Sequence, residues 1–545
     1  MSTRSNLNKS KIGAATPHLF TRNRLIIETA FYRNNVVTVT SLAQAYELAK
    51  NSSGTIISDL EVYKTSELGL PNDAKVLIFN DGTITGRQAQ VRRLIDKSNI
   101  DQYGDILRNS VFNSRKKKMY HAIAYVGLHE DFMVKAHLLV PEGYENTLYS
   151  WMLNFQNKTD EMDKMYERSF EINEGDIFLY SDPDEFIESF DSGIAIFDQK
   201  NNCGALLGLK YFGEFKKATL TMAWTIASRN NYTACHGGQK RFNLENNKTF
   251  IAGVFGLSGS GKSTITHSKH NGKYNITVLH DDAFIINNTD SSSISMEPAY
   301  FDKVQDYPTD SSDNKFLLTM QNVGATYDEF NKLVPVTEDI RNGNGRCLKS
   351  QYWTPHRAFK FNNKIDAIFW IMKDNTLPPI LKVNSSILGS TLGATLATKR
   401  SSAEHGFTGD KLIIEPYANP FRLYPLNNDY HNFKNLFEIN KVDCYVLNTG
   451  YFLDRDITKD ITLGLIEQIV SKKIKFKKFF NLNELGFADI EGYIPNFDNK
   501  QYKNLVIERL NSRISFIDNL HSQDILPIEA RKSIKNIIKN IQIYS

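Results

Sequence analysis

The run FIAGVFGLSGSGKSTITH, Phe250 to His267, constrains this chain more than any other stretch. It opens as a short continuous apolar strand, passes through a loop that is almost all glycine and serine, and ends as the start of a helix. Gly256, Gly261, Lys262 and Ser263 satisfy G-x-x-x-x-G-K-[ST]. In such a loop the backbone N–H groups and the N-terminus of the following helix point at an anion, the lysine reaches the outer phosphates, and the hydroxyl holds a divalent cation. Gly256, Leu257, Ser258, Gly259, Ser260, Gly261, Lys262, Ser263 and Thr264 are therefore the expected cradle for a nucleotide's phosphates.

A second apolar run, Ile276 to Leu279, carries Asp281 and Asp282 at its carboxyl end. Adjacent carboxylates at a strand end beside a phosphate loop suit a metal held on the phosphates; two turn aspartates are the plain alternative. Only 20 positions separate Lys262 from Asp282, closer than the metal-binding aspartate of most P-loop ATPases and GTPases.

At 545 residues and 41% hydrophobic side chains, the chain is long enough for two or more packed domains. Its 65 basic and 61 acidic side chains nearly cancel to +4, so neither nucleic acid nor an acidic membrane is an expected partner. RKKK (Arg115 to Lys118) and KKIKFKK (Lys472 to Lys478) read as solvated faces or loops. Cys203, Cys235, Cys347 and Cys444 lie far apart without a C-x-x-C pair, which argues against a disulfide framework or a structural zinc and for reduced thiols. The N-terminal segment is polar, and no run approaches the roughly 20 apolar residues of a membrane span. A cytoplasmic location is expected.

Strand signals occur at Ala74 to Asn80, Lys135 to Pro141 and Ala205 to Gly213, with mixed strand and helix texture up to about Phe242. The polar NLENNKT, Asn243 to Thr249, marks an expected boundary, giving domains 1–242 and 243–545. After Pro527 apolar residues recur at helical spacing, so the chain is expected to close on an amphipathic helix.

Two clusters precede the loop: YFGEFKK, Tyr211 to Lys217, and ACHGGQ, with His236 before two glycines. In this order and at these intervals, the two clusters, the loop and the Asp-Asp strand end resemble the ATP-dependent phosphoenolpyruvate carboxykinase family. TGRQAQVRR (Thr85 to Arg93), MEPAYFDK (Met296 to Lys303), NGNGRCLKS (Asn342 to Ser350), LPP (Leu377 to Pro379) and YVLNTGY (Tyr445 to Tyr451) also fall in family order, so the likeness spans residues 85 to about 520.

The resemblance implies a role for each matched residue. Arg87 would hold the substrate carboxylate as a planar bidentate donor, and Tyr211 would contact the small organic acid. Lys217, His236 and Asp282 would ligate a catalytic Mn²⁺, with Lys217 neutral; the metal and cationic neighbours such as Lys216 favour that form. Lys262, Ser263 and the loop amides would hold ATP and its Mg²⁺, with Asp281 beside the metal. Lys303 and Arg346 would neutralise the moving phosphoryl group, Arg346 also contacting the nucleotide. Oxaloacetate would lose CO₂, and the resulting enolate would take the γ-phosphate of ATP.

The implied fold is α/β: an N-terminal mixed-sheet domain and a C-terminal P-loop mononucleotide-binding domain, with the active site in the cleft between them and a lid for which 385–409 is a candidate. A monomer is expected, with larger assemblies left open. The chain departs from the family's pattern where H-C-S-A-N becomes HGGQK after His236, where DDAFII follows the strand, and where A-G-T-E-R-G becomes SSAEHG, placing His405 at the arginine position. These departures keep a second reading open, an ATP-dependent phosphotransferase on the same scaffold acting on another small acid or a protein. A non-catalytic nucleotide-binding protein is a third.

Overall fold

Three apolar runs build the centre of one large sheet. Thr249–Phe255 pairs in parallel with Ala367–Met372, which pairs in parallel with Asp443–Asn448. Strands so placed are covered on both faces and read as continuous hydrophobic sequence. Along the middle strand Ala367, Phe369 and Ile371 join one hydrophobic cluster while Ile368, Trp370 and Met372 join another, as the alternation of a strand requires. Antiparallel strands extend the sheet on both sides: Gly238–Asn243 and Asn275–His280 at one end, then Ile380–Val383, Leu485–Ala488 and Phe476–Lys478 at the other. Part of the lysine-rich KKIKFKK run thus occupies an edge strand, where charge discourages pairing with another chain.

This computed structural model describes residues 21–79, 92–170, 172, 174–257, 259–308, 310–338, 345–399 and 412–544. The described chain is mixed α/β and divides into two compact units. One holds the chain up to Ile226 together with Met296–Pro355; the other holds Ala227–Ser295 and the described chain from His356 onward. Position 243, the expected boundary, is instead the end of a strand whose last residue is registered with Thr249 on one side and Asn275 on the other. Ladder hydrogen bonds therefore keep both sides of that position in one sheet.

The first unit contains a sheet around the hairpin Met119–His129 and Phe132–Pro141, extended by Ile177–Asp182, Cys203–Leu207 and Ile194–Asp198. Leu139, Tyr180, Ile194 and Ala205 from this sheet pack with Ile27 and Leu107 from two helices. A second sheet runs in the order Tyr300–Lys303, Arg346–Lys349, Leu317–Gln321, Lys75–Phe79, Thr55–Glu61.

The expected strand Ala205 to Gly213 ends early. Leu207 is its last strand residue, Gly208 turns the chain with φ of +68°, and Phe212–Arg229 is a helix. From Phe212 onward the sequence holds no turn residue beyond Gly213, and Phe215, Leu220, Ala223 and Trp224 are all buried, which suits a helix enclosed on all sides. The lid candidate is corrected in its first part: Ser386–Ala394 is a helix, buried from Leu388 to Ala394, and 400–411 lie outside the described residues. The closing helix is Ile528–Ile543, with Ala530, Ile534, Ile537 and Ile541 on its buried face. Among the described residues no helix is long and apolar enough to cross a membrane. The four cysteines are buried free thiols.

Candidate active site

In the second unit the strand Thr249–Phe255 delivers the chain to Gly256, and the helix Lys262–His267 starts after Gly261, whose φ of +95° is glycine's region. Side chains from elsewhere in the unit restrain the turn. Lys373 Nζ donates to Gly259 O at 2.9 Å, and Thr449 Oγ1 donates to Ser260 O at 2.8 Å. Ser263 is half-buried and Thr264 exposed on the first turn of the helix. Ser258 lies outside the described residues.

His236 ends the strand Tyr232–His236, and Asp282 follows the strand Asn275–His280. His236 Nε2 lies 3.0 Å from Asp282 Oδ1, and Lys262 Nζ lies 3.1 Å from the same oxygen. His236 Nδ1 meets the backbone carbonyl of Ala418. A carbonyl only accepts, so Nδ1 carries the proton and the ring is fixed with Nε2 toward the carboxylate. A ring nitrogen that donates to a backbone carbonyl leaves the other nitrogen able to ligate, and an imidazole beside a carboxylate is a donor pair compatible with a divalent cation. His236 and Asp282 thus fit a divalent cation. Among the described residues no cluster of three or more His, Cys, Asp and Glu is arranged to hold a metal, and the expected third ligand, Lys217, belongs to the first unit.

The Asp-Asp pair is divided. Asp281 Oδ2 lies 3.2 Å from His267 Nε2, and Asp281 Oδ1 lies 3.9 Å from His280 Nδ1. Burial would raise its pKa, but the close contact and charge of His267, with His280 and Lys262, outweigh burial and hold the carboxyl well below the usual range. Asp281, expected beside the metal, lies against His267 at the far end of the phosphate-loop helix. The glycines after His236 also have a packing cause: Gly238 runs so close to that helix that a Cβ would overlap Thr266 Oγ1.

In the first unit the expected residues are assembled by strand register. Phe79, Gln321, Arg346 and Lys303 form one row across four strands. Gln321 Oε1 accepts from Phe212 N at 3.0 Å, which ties the start of the helix Phe212–Arg229, and Tyr211 before it, to that row. The Tyr211 ring lies 6.3 Å from the Phe301 ring, two positions from Lys303. Arg346 is buried and Lys303 half-buried. On the same strands Lys349 Nζ is fully buried, 2.7 Å from Asp302 Oδ2 and over the Trp353 ring at 3.0 Å.

Lys216, expected as a catalytic cation next to Lys217, has a counter-ion of its own. Its Nζ lies 3.0 Å from Glu297 Oε1 with neither side chain exposed, and Asn154 Nδ2 donates to Glu297 Oε2 at 2.7 Å. Lys217, a buried neighbour about 100° round the helix, has its Nζ 6.0 Å from the Trp224 ring. Arg87 and His405 lie outside the described residues.

Sequence reasoning missed Gln321, Glu297, Lys373, Thr449 and the Ala418 carbonyl. Glu297 and Thr449 sit inside MEPAYFDK and YVLNTGY, segments already singled out, so a polar residue there was the available signal. Gln321 and Lys373 act through long-range pairing and carried none.

The profile of the phosphoenolpyruvate carboxykinase family matches residues 61–498, most of the chain. A phosphoenolpyruvate carboxykinase (ATP) of Aeropyrum pernix is 23% identical over 327 residues, covering 57% of this chain and 65% of that relative. The chain therefore spans just under two thirds of that relative's length.

Proposed function

The chain belongs to the phosphoenolpyruvate carboxykinase (ATP) family, and from that premise we propose that it converts oxaloacetate and ATP into phosphoenolpyruvate, ADP and CO₂. The observation that carries this reading is the meeting of His236 and Lys262 on one oxygen of Asp282, at 3.0 and 3.1 Å. These three residues come from separate segments: the loop pattern points Lys262 to phosphate, the strand-end position suits Asp282 to a metal, and the family resemblance gives His236 its metal role.

The second unit is the nucleotide half. The turn from Gly256 to Gly261 and the Lys262 ammonium bind the phosphates of ATP, and Lys262 neutralises charge on the outer ones. His236 and Asp282, with Lys217, would hold Mn²⁺, and Ser263 would hold the Mg²⁺ that accompanies ATP. A bound divalent cation supplies Lewis-acid stabilisation of the enolate oxygen.

The first unit is the substrate half. Arg87 and Tyr211 orient oxaloacetate, whose C–C bond to the departing carboxylate breaks to give CO₂ and an enolate. That oxygen forms a bond to the γ-phosphorus of ATP as the bond to ADP breaks, and Lys303 and Arg346 offset the charge that moves. Lys216 acts through Glu297 as a positioning residue. Exclusion of water matters, because a hydrated enolate is protonated to pyruvate. The buried, unpaired thiols suit a reducing compartment, and a cytoplasmic location is part of the proposal.

Purified protein supplied with oxaloacetate, ATP and Mn²⁺ should release phosphoenolpyruvate. No product with either ATP or GTP would overturn the carboxykinase reading. Transfer of labelled γ-phosphate to another acid or a protein under those conditions would establish the phosphotransferase in its place.

A further inference from the structure

The strand Gly238–Asn243 passes behind the phosphate-loop helix, and Lys240 at its centre has no exposed side-chain surface. Its Nζ donates to Ile265 O at 2.6 Å and reaches Ser268 O at 3.4 Å. A third neighbour, His270 Nε2, lies at 2.8 Å. An ammonium has three N–H groups and no acceptor, so His270 Nε2 accepts and the ring proton sits on Nδ1. That nitrogen lies 3.1 Å from Glu467 Oε1, while Lys273 Nζ holds Glu467 Oε2 at 2.6 Å.

The helix Lys262–His267 is six residues long, and the carbonyls of its last turn find no partner within it. Lys240 supplies one and places a positive charge at the negative end of the helix dipole. The groups facing Lys240 are accounted for element by element. Neighbouring strands put Ala252 and Val278 beside it, and the Phe242 ring lies 4.7 Å from Nζ. Lys262 and His267, on the helix itself, are engaged by Asp282 and Asp281. The helix Lys459–Val470 contributes Glu467, with Leu465, Ile466 and Ile469 in the surrounding apolar cluster.

We propose that Lys240 is a positioning residue for the phosphate loop, its ammonium pinning the far end of the loop helix so that nucleotide binding and protonation of Lys240 favour one another. The proposal rests on the nucleotide reading of the loop. A phosphate at the N-terminal end orders the same short helix and adds negative charge, and both effects favour the ammonium. A neutral amine has two N–H groups and leaves one of the three acceptors without a donor. Burial, offset in part by Glu467, brings Lys240 down to about 7, so both forms are populated near neutrality. Burial and the Lys240 charge, against Glu467, bring His270 down to about 4, and that ring stays neutral in the same range.

The test is isothermal titration of the full chain with ADP, in two buffers of different ionisation heat at a pH just above the Lys240 midpoint. The wild type should take up a fraction of a proton on binding, and its affinity should weaken as pH rises through about 7. Lys240→Met should lose the proton uptake and that pH dependence and bind ADP roughly three- to tenfold more weakly. Glu467→Gln, on a half-buried side chain, tests the same point should Lys240→Met fail to fold: without the carboxylate that supports the ammonium, the uptake should move to lower pH. Proton uptake absent from a wild type that binds ADP, or unchanged in both variants, would overturn the positioning role. A wild type without affinity for ADP, or Lys262→Ala with undiminished affinity, would strike the nucleotide reading instead.

Discussion

Lys262 and Asp282 reach one another across a loop, a helix and a strand spanning 20 positions, whereas Arg346 and Lys303 are neighbours because two strands 43 positions apart pair in register. The Lys262–Asp282 contact is thus built by local chain geometry, whereas Arg346–Lys303, like the approach of His236 to Asp282 across 46 positions, is built by sheet pairing. Where a local turn carries the site, a side chain can be changed with modest effect on the fold. Where register carries it, the groups that hold the strands and the helix start also hold the site, so function and stability should fall together.

The largest expected effect is at the focus of the second unit. Asp282→Asn removes the charge that His236 and Lys262 share and should lower phosphoenolpyruvate formation by on the order of 10³-fold, about 4 kcal/mol of transition-state stabilisation. Its ADP affinity should change little, while Lys262→Ala should weaken ADP roughly 10- to 100-fold, the worth of a charged hydrogen bond. Steady-state rates and ADP titration check both. Asp282→Asn with full activity would break the local half of the comparison.

In the first unit Glu297→Ala leaves the Lys216 ammonium buried without its partner. Loss of about 3 kcal/mol from the denaturant unfolding of that unit is expected, together with loss of activity. An inactive variant of undiminished stability would mean that Glu297 acts on substrate, against the positioning role given to the Lys216 pair.

Asp281 sharpens the contrast between adjacent residues. Asp281→Asn should cost about 1–3 kcal/mol of stability by weakening the contact with His267, and should leave the metal dependence of the reaction in place. The folded pKa of Asp281 is depressed, so its contribution is complete above the unfolded value of about 4 and is lost as pH falls below it. The stabilities of variant and wild type should therefore converge on acidification, a result that urea unfolding at several pH values would show.

The same contrast governs what could be read in advance. The phosphate loop, the strand carrying Asp282 and the closing helix were legible because each obeys a short-range rule of glycine placement or apolar spacing. The Ala205–Gly213 run misled because it joins the end of one element to the start of another: the strand stops at Leu207, Gly208 turns the chain, and Phe212 and Gly213 already belong to the helix that runs to Arg229. The separate fates of Asp281 and Asp282 were hidden, since what divides them is His267 on one side and His236 on the other. Lys216 and Lys217 looked like a matched pair, and the ion pair of the first with Glu297, 81 positions later, had no local signal.

Gln321 tests the register argument at its weakest point. It touches none of the atoms assigned to phosphate or metal; its amide oxygen accepts from Phe212 N at 3.0 Å, and its backbone stands between Phe79 and Arg346. Gln321→Ala removes two neutral hydrogen bonds, the one from Phe212 N and the longer one that Nε2 donates to Lys210 O at 3.4 Å, so about 1–2 kcal/mol of stability should be lost. If the row positions Tyr211, the KM for oxaloacetate should also rise several-fold with kcat and ADP affinity close to wild type, since substrate orientation changes while the nucleotide half does not. Gln321→Glu keeps the acceptor for Phe212 N while losing the donor to Lys210 O, and should restore part of that KM. A variant that loses the stability but keeps the KM would separate the helix start from the substrate, and register would then account for the fold of the first unit without accounting for its site.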